Sequence, residues 1–249
     1  MQQGNNQQPI FLDAQDRDAF LGSLDDSART HRVTIHAYVL LSASYHLLIT
    51  PATAEALSLM VQALGRSYVR YFNRRHARSG TLWEGRFRSS VLEAPVYLLP
   101  AMVGLDWAPV RAGLAAQPQD WAWSSHAHYR GLRVDRLITP HAQYWALGNT
   151  PFDRENAYAE MVRTGLDEAQ WQRMEGAARG GWALGSEPFL QALNTQGATR
   201  RLTQARPGRR AGDVGQEGLG LGVAVQKVVL AAFLVVQHQA DGDLGAAGP

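Results

Sequence analysis

The chain contains no cysteine among its 249 residues. Disulfides and thiolate metal ligands are therefore excluded, and a cytoplasmic setting is expected. Charge is also sparse. Asp, Glu, Lys and Arg make up 18% of the chain, against about 25% in an average soluble protein. Long apolar runs are missing as well. The longest, VVLAAFLVV at residues 228–236, has nine residues, roughly half of what a membrane-spanning helix needs. The opening MQQGNNQQPIFLD is polar and unlike a secretory signal. A cytoplasmic protein with no membrane segment is the expectation.

Enough remains to build a core. Hydrophobic residues are 45% of the chain, and its length allows one substantial core with a helical extension. The formal net charge is only +2, but its placement is uneven. Residues 211–249 hold one Lys and four acidic residues. The positive excess therefore lies in the first 210 residues, which is compatible with a nucleic-acid partner.

Hydrophobic spacing places the elements. Phe20, Leu21, Leu24 and Ala28 fall on one face of a helix over residues 16–30, with Asp13 or Asp16 as its cap. VTIHAYVLL (33–41) and YHLLIT (45–50) read as an antiparallel hairpin closed by Pro51. Residues 54–75 have helical period, with Leu57, Met60, Val61, Leu64, Tyr68 and Tyr71 on the packing side. A strand is expected within 86–92, and a helix over 95–106 that Pro109 closes. Residues 153–180 read as one or two helices, and WALGSEPFLQAL as a turn leading into another. Three units follow: a domain at 1–130, a helical extension at 150–205, and a basic-to-Gly-rich tail at 206–249 without regular order.

Seven arginines stand out as candidate phosphate contacts: Arg66, Arg70, Arg74, Arg75, Arg78, Arg86 and Arg88. The alternative is a solvated, solubilising surface. Tyr68 and Tyr71 fit packing, whereas Trp83 suits either base stacking or anchoring of its loop. Arg200, Arg201, Arg206, Arg209 and Arg210 form a second basic segment.

The segments HAYVLL, YHLLIT, YVRYFNRRHARSGTLWEGRFRSS and PVRAGL, in this order, resemble the small tyrosine transposases of single-stranded DNA. The likeness is strongest to the transposase-like proteins associated with bacterial repetitive extragenic palindromes, and it spans roughly residues 4–205. It implies an α+β fold: an antiparallel sheet with packed helices, ferredoxin-like, lacking its first strand, with a helical C-terminal extension. It implies single-stranded or hairpin DNA as partner and Mg²⁺ or Mn²⁺ as cofactor. In such proteins a His-hydrophobic-His strand holds the metal, and a helix-borne Tyr attacks the scissile phosphate.

Two of those positions differ here. The first His corresponds to Ser44, leaving His46 as the residual metal ligand, and the nucleophile position holds Gly104. A hydroxyl is a weak substitute for imidazole, and glycine supplies no phenolate. No catalytic residue is therefore assigned. The resemblance leaves three outcomes: a hairpin-DNA-binding protein with impaired or absent cleavage, an active nickase and strand transferase using replacement groups, or a non-functional remnant.

Overall fold

The computed structural model describes residues 1–3, 8–195 and 229–232. It is a mixed α+β fold with an antiparallel sheet and packed helices. A two-residue strand β1 (Gln2–Gln3) is followed by helix α1 (Ala14–Thr30). Asp13 caps α1, accepting a hydrogen bond from the Asp16 amide, which settles the choice between the two candidate caps. Phe20, Leu24 and Ala28 are buried along one stripe, as their spacing demands.

The hairpin forms from β2 (Val33–Leu40) and β3 (Ser44–Pro51). Pro51 lies inside β3 opposite Val33, at the last pair of the ladder. Proline is tolerated there because a terminal position needs no further ladder donor. Helix α2 (Ala56–Arg75) buries Leu57, Met60, Val61, Leu64, Tyr68 and Phe72. Tyr71 is only partly buried and stacks on Tyr68.

Strand β4 is short, Ser90–Leu92, and leads into α3 (Ala94–Arg111). Here the structure corrects the expected helix end, because α3 runs through both Pro100 and Pro109. Pro100 removes the donor for the carbonyl of Val96, and Val96 is 51% exposed, so water can serve that carbonyl. A 3-10 turn (Pro118–Asp120) and two short helices, α4 (His126–Tyr129) and α5 (Ala142–Trp145), complete the first part. Three helices follow: α6 (Pro151–Thr164), α7 (Glu168–Gly180) and α8 (Glu187–Thr195).

Within the tail, residues Val229–Ala232 form strand β5, which the sequence reading treated as lacking regular order. It pairs antiparallel with both β3 and β4. The sheet order is therefore β2–β3–β5–β4, with β1 sharing the β5-side edge of β3 at Ser44 and Tyr45. The rest of the tail, and the second basic segment from Arg200 to Arg210, lie outside the described residues.

Nearly every residue of β2 and β3 is buried, although alternate side chains point to opposite faces. Both faces are thus covered. Helices α1 and α2 pack on each other and on β2, while α3 packs on β2, β3 and β5. Helices α6 and α7 dock on α3. Trp107 donates its indole N–H to the Val162 carbonyl at 2.9 Å, and the Arg111 guanidinium lies 3.9 Å from the Trp171 ring centre. Among the described residues no helix is long and apolar enough to cross a membrane.

Candidate functional site

The basic surface is built on α2. That helix contains four arginines and no acidic residue. Arg66, Arg70 and Arg74 recur every fourth residue, so they form one stripe, stepping about 6 Å along the axis each time. All three are exposed. Among the described residues none of them has a carboxylate partner within salt-bridge distance. The opposite face of the helix is held by Leu57, Met60, Leu64 and Tyr68, so the stripe is fixed on a rigid element. Ser67, also exposed, sits beside the stripe.

The other four arginines divide differently. Arg75 is turned inward. It bridges Asp13 at 2.6 Å and Asp16 at 2.5 Å, joining the end of α2 to the start of α1. Asp16 is completely buried and also accepts hydrogen bonds from the Leu12 amide at 2.8 Å and from His76 at 2.9 Å. Burial pushes the Asp16 carboxyl upward, but the Leu12, His76 and Arg75 hydrogen bonds outweigh it and hold the pKa below its usual value. Arg75 is thus part of a helix clamp and not of the open stripe. Arg78 lies over the Phe72 ring at 5.5 Å and stays exposed. Arg86 is exposed on the loop before β4. Arg88 donates to the Arg179 carbonyl at 2.8 Å, which ties that loop to α7. From residue 56 to 89 there are seven arginines against one acidic residue, Glu84.

Trp83 is an anchor. Its ring lies against Tyr45 and Tyr68, and a Cβ placed on Gly65 would approach its Nε1 to 3.3 Å. The absence of a side chain at Gly65 lets the loop lie flat on α2. Trp121 and Trp123 pack on the core, and with Phe11 they surround the Arg17 guanidinium at 5.6 Å from each ring centre.

The candidate metal position is closed. Ser44 and His46 share one face of β3, and Ser44 Oγ lies 3.5 Å from His46 Nε2. Each is 1% exposed. Burial drives the His46 pKa down to about 3, with a smaller contribution from the Met1 α-amino group. That amino group donates to the Arg88 carbonyl and is itself held down to about 4 by burial. A cation needs several ligands and an entry path, whereas this sealed pair offers one hydroxyl and one imidazole. Among the described residues no group of three or more His, Cys, Asp or Glu could hold a metal ion. The residues present do not fit the cofactor that the resemblance implies. Gly104 is buried in α3, the helix that packs on β2, β3 and β5. His36 is committed elsewhere, to the Thr139 carbonyl at 2.7 Å and to Thr50 Oγ1 at 2.8 Å.

A second buried polar centre escaped the sequence reading. One oxygen of Asp106 accepts hydrogen bonds from His126 Nδ1 at 2.8 Å and from the Tyr158 hydroxyl at 2.7 Å. All three side chains are buried, and they join α3, α4 and α6. Asp106 inside an apolar helix was the visible signal, because a buried carboxylate must find donors. Comparisons with protein-family models, with curated proteins and with solved structures found no match to this chain.

Proposed function

We propose that this protein binds single-stranded or hairpin DNA through the arginine stripe of α2, without metal-dependent strand cleavage. The observation that carries the proposal is the arrangement of Arg66, Arg70 and Arg74: three exposed guanidinium groups on one rigid helix, with no acidic residue on that helix. Fixed positive charge of this kind releases counterions from a phosphate backbone, which supplies sequence-independent affinity. Arg78 and Arg86 extend the same charge into the following loop.

The fold reading belongs to the same proposal. An antiparallel order β2–β3–β5–β4, with α1 before the hairpin and α2 after it, suits a ferredoxin-like arrangement. In that arrangement β5 takes the place of the first strand. Absence of cleavage is supported by Gly104, which carries no nucleophile, and by the sealed Ser44–His46 pair.

The experiment uses a labelled hairpin with a single-stranded flank. Fluorescence anisotropy should show saturable binding that weakens as salt rises. Denaturing gels after incubation with Mg²⁺ or Mn²⁺ should show intact DNA and no covalent protein adduct. Lack of binding at low salt would refute the DNA proposal. A metal-dependent covalent adduct would refute the claim that cleavage is absent.

A further inference from the structure

We propose that Trp145, backed by Arg154, is a stacking platform for an unpaired base of single-stranded DNA, a contact additional to the α2 stripe and resting on the DNA-binding reading. An internal repeat isolates this tryptophan. WALGNTPF at 145–152 recurs as WALGSEPF at 182–189, differing only at Asn149 and Thr150 against Ser186 and Glu187. The two tryptophans are placed differently. Trp182 is partly buried and lies against the backbone at Gly180, where an added Cβ would come within 2.7 Å of three of its ring atoms. Trp145 is 52% exposed. The motif itself therefore does not force the ring into solvent.

The Trp145 ring is also held in place. Its indole N–H donates to the Pro140 carbonyl at 3.3 Å. The Arg154 guanidinium lies over the ring, 4.4 Å from its centre. Arg154 in turn donates to the Gly148 carbonyl at 3.0 Å, in the turn between α5 and α6. Tyr144 meets the ring edgewise at 6.4 Å. The exposed area thus lies on the face away from Arg154, on a ring whose orientation is already fixed.

Charge selects the ligand. Among the described residues Arg154 has no carboxylate partner within salt-bridge distance. The acids near it in sequence are engaged. Asp153 caps α6 through Thr150, and Glu155 turns toward Gly131. Asp135 accepts from the Tyr38 hydroxyl and the Leu137 amide. Arg136 stands exposed on the segment leading to Pro140, as does Arg133 at 3.9 Å from Asp135. A nucleotide uses both features: its base stacks on the indole, and its phosphate meets the uncompensated positive charge. A base within a duplex has its faces covered by its neighbours, so an unpaired base is the one that fits. An apolar peptide side chain would use the indole and leave the charge unanswered.

The experiment uses the full chain and two hairpins with one stem and different single-stranded flanks. One flank carries thymidines, and the other carries abasic residues with the same phosphates. The wild type should bind the thymidine flank more tightly by roughly 5- to 150-fold, the range of one base–aromatic stack. Trp145→Ala should lose that preference and Trp145→Phe should keep part of it. The salt slope should be the same for both variants as for the wild type, because no phosphate contact is removed. A wild type without the preference, or a Trp145→Ala variant that retains it, would overturn the platform and leave the α2 reading standing. Equal loss of affinity on both flanks would overturn it too, marking Trp145 as a structural or protein-docking residue. Failure of the wild type to bind either hairpin would overturn the DNA reading and the platform with it.

Discussion

Lowering the pH should destabilise this fold through a residue that was expected to serve chemistry. His46 is buried on β3, with its pKa held near 3 by loss of hydration. An unfolded histidine titrates near 6.5. The folded value lies below the unfolded one, so the unfolded chain takes up the proton first as pH falls. Stability from the neutral buried ring is therefore complete above about pH 6.5 and is lost progressively down to about 3. Each pH unit in that window costs about 1.4 kcal/mol, so His46 should account for roughly 2 kcal/mol of lost stability at pH 5. His36, held down to about 4 by burial, and the Met1 amino group add parallel losses. A difference measurement isolates His46. Urea unfolding of the wild type and of His46→Gln should be followed from pH 7.5 to 5. The wild-type curve should fall more steeply, by about one proton. Parallel curves would refute the assignment of His46 as a buried neutral ring.

Further outcomes follow from the two buried carboxylates. Tyr158→Phe removes one hydrogen bond to Asp106 and should cost about 1.5–3 kcal/mol, seen as a Tm lower by roughly 5 °C. The same change in an Asp106→Ala background should cost much less, which a double-mutant cycle would reveal. Asp16→Ala strips the shared acceptor from Leu12, Arg75 and His76 and should cost about 3 kcal/mol in urea unfolding. Because the Asp16 pKa is lowered on folding, its contribution is present above about pH 4 and fades below it, so Asp16→Asn should flatten the acid limb of the stability curve. Arg75→Gln should weaken the fold yet leave the salt dependence of DNA binding unchanged, since Arg75 is held by Asp13 and Asp16.

Local pattern and long-range partnership account for what the sequence disclosed. The faces of α1 and α2 were legible because burial follows a 3.6-residue period at Phe20, Leu24, Leu57, Met60 and Leu64. The hairpin was legible from its β-branched run and intervening turn. Arg75 was not separable from Arg74, because the acids that capture it lie about sixty positions away. The same limit hid the donors of Asp106, which come from His126 and Tyr158. β5 was hidden for a related reason. A short apolar run suits a buried strand or a buried helix segment alike, and its partners are on β3 and β4, far earlier in the chain. Proline weakens a helix on average, which predicts an early end for α3, whereas an exposed position at Val96 and extensive packing accompany its continuation.

The separation between scaffold and chemistry follows from these placements. The arginine stripe needs only an exposed helix face, and α2 provides one. Phosphate-transfer chemistry would need a nucleophile and an accessible electrophilic centre together. Gly104 supplies no nucleophile, and Ser44 and His46 are packed beneath the surface.

The most direct test is the salt dependence of hairpin binding by the wild type and by the triple variant R66Q/R70Q/R74Q. Each phosphate contact on a single strand contributes about 0.7 to the slope of log affinity against log salt. Loss of three contacts should therefore make the slope shallower by about 2, with Tm essentially unchanged, because all three side chains are exposed. An unchanged slope in a folded triple variant would contradict the assignment of α2 as the DNA-binding surface.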